Sequence, residues 1–107
     1  MRFEQHCARC EALLGDRHER VNRWIDELAW VAHGAWKMCG APFDPHHRKH
    51  RHNLKGISEA RKRWGEEAAK AAELHVLDDH FGPCPHSDEQ RAMIPKDSAD
   101  YVRKGWE

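Results

Sequence analysis

The sequence predicts an all-α fold: a compact bundle of about four helices around a central helix, followed by an irregular C-terminal tail. Three observations carry this expectation. No stretch alternates apolar and polar residues as a half-buried strand does. Apolar residues recur instead at i, i+3, i+4 and i+7 along most of the first 80 residues. Between these periodic stretches stand Gly15, Gly40-Ala41-Pro42, Asp44-Pro45, Gly65 and Gly82-Pro83, residues that stop and start helices.

The first helix runs from Phe3 to Leu14. Phe3, His6, Cys7, Cys10, Leu13 and Leu14 share one side, and Gly15 ends it. The second starts at Asp16, with Glu19 three residues on as in a capping box, and runs to Met38. Val21, Trp24, Ile25, Leu28, Val31, Ala32, Ala35 and Trp36 make a stripe broad enough for the central helix. Trp30 falls outside that stripe, beside Arg23 and Lys37. Cover by the tail residues Met93, Ile94, Tyr101 and Trp106 is its first reading, and a homo-oligomer interface its second.

The third helix has Asp44 as N-cap and Pro45 at the first helical position, and runs to Trp64 with a bend at Gly56. Leu54, Ile57, Ala60 and Trp64 mark its inner face, shared by His46, His47, His50 and Asn53. Arg48, His52 and Arg63 point outward on the same projection. The fourth runs from Glu66 to His80. Ala68, Ala71 and Ala72 form a small-residue strip that also carries His75 and Asp79. Residues 1–82 therefore read as the bundle and residues 83–107 as a Pro-rich tail packed on it. In the tail Ser87-Asp88-Glu89-Gln90 is a capping box for one short helix, and another follows Asp97.

At 107 residues the chain predicts one domain. Charged residues make up 34%, and no apolar run approaches the ~20 residues of a membrane span. The opening MRFEQHCARC has no apolar h-region, so a cytoplasmic protein without a secretory signal is expected. Disulfides are then not expected among its four cysteines, and the one CxxC, Cys7 and Cys10, reads either as small buried residues or as zinc ligands. Lys plus Arg number 18 and Asp plus Glu number 18, so no overall grip on nucleic acid is indicated. The basic stretch with Arg48, Arg51, Lys55 and Lys62 is the one candidate for phosphate contact, and reads first as a solvated face. No phosphate-binding glycine loop, nucleophile elbow or H-E-x-x-H is present.

The informative feature is histidine, which occurs 10 times. Three helices each place imidazoles on an inner face: His6 with Cys10 one turn on, His47 and His50, and His75 with Asp79 one turn on. A buried imidazole without a partner costs about 1–3 kcal/mol, and a metal ion satisfies several at once. The expected ligands are His6, His47, His75 and Asp79, with His50 and Cys10 as alternates. Imidazole with carboxylate suits a transition metal ion, zinc first, with iron or manganese as alternatives. An open coordination position would make the protein a hydrolase, with Asp26, Glu19 or Asp78 as base. The competing expectation is a non-enzymatic interaction module whose histidines are polar core. His86, in the tail, is expected to matter neither to metal nor to stability.

The order His6, Trp24-x-Asp26, His47-Arg48, His52, Gly56-Ile57 and His75-x-x-x-Asp79-x-x-Gly82 resembles an uncharacterised family of small helical bacterial and phage proteins over about residues 6–82. The resemblance implies His6, His47, His52, His75 and Asp79 as the shared positions. The cysteines are not part of it. The family often has two adjacent histidines where this chain has His52-Asn53. On a straight helix His47 and His52 lie about 140° apart, so both serve one site only if the helix begins late or bends. A phage context implies that the interaction module would inhibit a host system. A fainter similarity to HD-type metal phosphohydrolases lacks their His-Asp doublet, since Arg48 follows His47.

Overall fold

A computed structural model describes residues 1–27 and 48–106. Every regular element among the described residues is a helix: α1 (Phe3–Leu14), α2 (Glu19–Ile25), α3 (Arg48–Arg51), α4 (Leu54–Trp64), α5 (Glu66–Phe81), α6 (Asp88–Ala92) and α7 (Ser98–Arg103). The all-α expectation holds. His47, Trp30, Cys39 and the expected helix start at Asp44 lie outside the described residues.

α1 has the expected bounds, and Gly15 ends it with φ 81°. Its buried residues are His6, Cys7 and Cys10. Leu13, expected inside, is 57% exposed. α2 starts later than the capping box suggested. The Asp16 carboxylate accepts from the His18 backbone N–H at 2.7 Å, which makes a turn and not a cap. The helix then stops at Ile25, and Asp26 and Glu27 form a turn. A helix running unbroken toward Met38 is thereby corrected.

The helix expected to bend at Gly56 is instead two helices, broken at His52–Asn53. Asn53 is extended, with φ −154° and ψ 175°. Its side-chain oxygen accepts from the Gly56 N–H at 2.8 Å, and its amide donates to the Lys49 carbonyl at 3.0 Å. One side chain therefore closes α3 and caps α4. A Cβ on Gly56 would collide with the Arg51 carbonyl oxygen, so only glycine permits this junction. The break turns His52 inward, to 1% exposure. Leu54, in the first turn of α4, is correspondingly exposed.

Gly65 alone joins α4 to α5, with φ 97°. That conformation is costly for any residue with a Cβ. α5 is the central helix, packed against α4, α2 and α1. It buries Ala68, Ala69, Ala71, Ala72, His75, Val76, Leu77 and Asp78, which leaves little polar circumference. α2 was the expected centre. Its described part is too short for that role, and the alanines of α5 let three helices approach closely. Val21, Trp24, Ile25, Ile57, Ala60 and Ile94 complete the core around it.

The tail is tied to the bundle. Ser87 and Gln90 form both bonds of the expected capping box. Asp97 caps α7 through the Asp100 N–H at 2.8 Å. The carbonyls of Pro95 and Lys96 accept from the Leu54 and Lys55 N–H groups at 2.8 and 3.1 Å. Tail backbone thus satisfies donors that the first turn of α4 leaves open. No helix among the described residues is long and apolar enough to cross a membrane.

Candidate metal centre

Four stretches of chain bring polar side chains to one buried place. α1 supplies His6, the turn after α2 supplies Asp26, and the α3–α4 break supplies His52. α5 supplies His75 and Asp79, one turn apart and so on one face. One donor atom from each of His6, Asp26, His75 and Asp79 lies within 4.8 Å of the other three. His6 Nε2 stands 3.0 Å from Asp79 Oδ1. His75 Nε2 stands 3.2 Å from both Asp26 Oδ2 and Asp79 Oδ2. Ligands around a tetrahedral zinc ion are about 3.3 Å apart, given metal–ligand distances near 2.0–2.1 Å. Donors at these separations could hold one metal ion. His52 spans the two carboxylates from another side, with Nε2 3.0 Å from Asp26 and Nδ1 3.5 Å from Asp79.

The centre is dry. His6, His52 and His75 are each 1% exposed, and the Asp79 side chain is 4% exposed. Although His75 Nε2 is so near two carboxylates, no acceptor stands in line to receive a hydrogen bond from it. His6 Nδ1 is buried without a partner among the described residues. Asp79 Oδ1 also faces the Met1 amino group at 3.1 Å and the Arg48 guanidinium at 3.5 Å.

Burial disfavours charge on these rings, and their neighbours decide how far. It pulls His6 below its ordinary value despite the bond to Asp79. It pulls His52 down to about 4, against the opposing bond to Asp26. Burial acts on His75 too, but Asp26 and Asp79 together outweigh it and hold this imidazole above its ordinary value. For Asp79, burial would raise the carboxyl, yet His6 and His75 keep it well below the usual range. The centre thus holds two carboxylates and one imidazole that favours positive charge.

Of the residues singled out in the sequence, the structure brings together His6, His75 and Asp79. His52, which the helical projection placed outside, joins them because of the break at Asn53. His50, preferred over His52 on that projection, is half-buried and stands outside the donor group. Cys10 is also outside it. Its sulfur accepts from the Asn22 amide at 3.4 Å, on the far side of that residue from His75. Asp26 was expected as a base and is a donor in the group. Asn22 was not expected at all. It falls just beyond the edge of the apolar stripe on the second helix, and that nearness to the core was its one available signal.

The other expectations also find their places. Arg51 lies over the Trp24 ring at 4.3 Å and Arg48 turns toward Asp79. Lys55 and Lys62 remain exposed. His86 bonds through Nε2 to the fully buried Asp78 at 2.8 Å, and Arg9 holds that carboxylate with two further bonds. The tail histidine is therefore part of a second buried network. Comparison of the chain with family profiles, with curated proteins and with solved structures finds no match.

Proposed function

We propose that this protein binds one transition metal ion, zinc first, through His6, Asp26, His75 and Asp79. One observation carries the reading: His75 Nε2 sits buried between two carboxylate oxygens, 3.2 Å from each, with no acceptor in line. Two carboxylates balance a divalent ion, and two imidazoles with two carboxylates suit zinc, iron or manganese. Beside Asp79 and His52 is a cavity of about 10 Å³, lined also by Arg48, His80, Tyr101 and Trp106. That is room for about one water. Zinc held by three of the four residues, with a water as fourth ligand, would lower the pKa of that water to about 7, which is the chemistry of a hydrolase. In a reducing cytoplasm Cys7, Cys10 and Cys84 would stay the free thiols they are here.

Elemental analysis of protein purified without a histidine tag tests the reading. About one equivalent of metal per chain is expected. No bound metal, together with no heat on zinc titration, would overturn it.

A second reading has its own observation. Leu13, Leu14, Leu74 and Leu77 line a groove of about 430 Å³ with Arg9, Lys70 and Arg91 at its sides. An interaction module would use such a groove. It predicts a metal-free protein.

A further inference from the structure

We propose that Asn22 is a positioning residue: it holds neutral His75 in the form protonated on Nδ1, so that the Nε2 lone pair faces Asp26 and Asp79. Its consequence for metal affinity rests on the metal reading above.

The argument begins at a backbone carbonyl. Asn22 is 1% exposed, on the first turns of α2. Its Nδ2 lies 3.0 Å from the Arg17 carbonyl oxygen. A carbonyl only accepts, so the amide must present its NH₂ group there, and the reverse orientation would set oxygen against oxygen. The same NH₂ group points at the Cys10 sulfur, 3.4 Å away. Asn22 Oδ1 is thereby directed at His75 Nδ1, at 2.9 Å. An amide oxygen also only accepts, so Nδ1 carries the hydrogen. A neutral imidazole has one N–H. Nε2 is then left with its lone pair, facing two carboxylate oxygens.

Without Asn22 the opposite form is favoured, because two carboxylate oxygens 3.2 Å from Nε2 attract a proton there. That form has no lone pair for a cation. The turn between α1 and α2, through the Arg17 carbonyl, therefore keeps the donor nitrogen of a ring on α5 available. Metal-ligating histidines are held in this way by an acceptor on their other nitrogen, and loss of that acceptor costs typically 10–100-fold in affinity.

Long-range proton–nitrogen NMR of metal-stripped, ¹⁵N-histidine-labelled protein, at a pH above the titration of His75, reads the form directly. Wild type is expected to show the proton on Nδ1. Asn22→Leu is expected to move it to Nε2 and to weaken zinc binding 10–100-fold. A wild-type proton on Nε2 would overturn the inference, and that spectrum needs no variant to fold. So would an Asn22→Leu protein that folds and keeps the proton on Nδ1. The expected proton shift without zinc binding by either protein would sink the metal reading and leave the positioning role standing.

Discussion

His6 lies flat on His75, ring centroids 3.5 Å apart and planes 10° from parallel. The rings come from α1 and α5 and share the carboxylate of Asp79. Two buried imidazolium ions repel too strongly to stack this closely, so one ring alone takes a charge. Burial leaves His6 neutral, and the two aspartates give the charge to His75. A proton on His75 Nε2 and a metal ion at the same place are alternatives.

Zinc uptake should therefore displace the proton that His75 carries below its raised titration. Calorimetric titrations in buffers of different ionisation enthalpy measure it. Affinity should fall as pH drops through the raised titration of His75, and further where His6 takes a proton below its ordinary value. Equal heats in all buffers would contradict the ligand role of His75.

Replacement of the ligand gives a second test. His75→Ala should remove the metal and lower the melting temperature of the loaded protein, since binding to the native state adds to its stability. His18→Asn is the control. His18 sits at φ 49° at the start of α2, a conformation asparagine tolerates, and it is not among the donors of the centre. Metal content and melting temperature should not change there.

The metal-free protein should lose stability steeply in acid. His52 titrates near 4 when folded and near 6.5 when unfolded. A depressed imidazole stabilises the fold above its unfolded value, and that contribution disappears between about pH 6.5 and 4. For this ring it is on the order of 3 kcal/mol. His6 shifts in the same direction, and the depressed Asp79 carboxyl adds further loss at lower pH still. His75, raised, acts oppositely and loses its contribution as pH climbs. Urea midpoints across pH 4–8 measure the sum, and His52→Gln should flatten the acid limb. A flat wild-type limb would contradict the buried, neutral assignment of His52.

His86→Ala should destabilise the fold by about 1–3 kcal/mol and leave metal content unchanged. Its ring bonds to Asp78, whose side chain is fully buried. Urea unfolding with elemental analysis separates the two effects. Stability within a few tenths of a kcal/mol of wild type would mean that Arg9 alone satisfies Asp78.

Gly56→Ala should cost about 1–3 kcal/mol by forcing a Cβ against the Arg51 carbonyl. The displaced junction carries His52, so metal affinity should fall with stability. Thermal melts and zinc titration of the variant check both.

The one-sided apolar face of α1, and the alanine strip of α5 between Gly65 and Gly82, made both helices legible in the sequence, and with them His6, His75 and Asp79. The site's other half depends on events that periodicity does not register. Asn53 reads as an ordinary polar residue inside a helix until its side chain is seen bonding Gly56 and Lys49. Gly56 attracted the expected bend, yet its role is to let the Arg51 carbonyl come close. From that misplacement followed the choice of His50 over His52. The end of α2 at Ile25 was equally hidden, because the apolar spacing continues through Leu28 and Val31. The turn after Ile25 and the break at Asn53 are what bring Asp26 and His52 to the centre.

The bond from His6 to Asp79 joins residues 73 apart in the chain, and that from Asn22 to His75 joins residues 53 apart. Helical proteins fold fast when their contacts are local, and these are not. The loops must close before either bond forms, so the polar centre should assemble after the helices, on the late side of the folding barrier. An ion bound there would then act mainly as a brake on unfolding, with little effect on how quickly the chain folds.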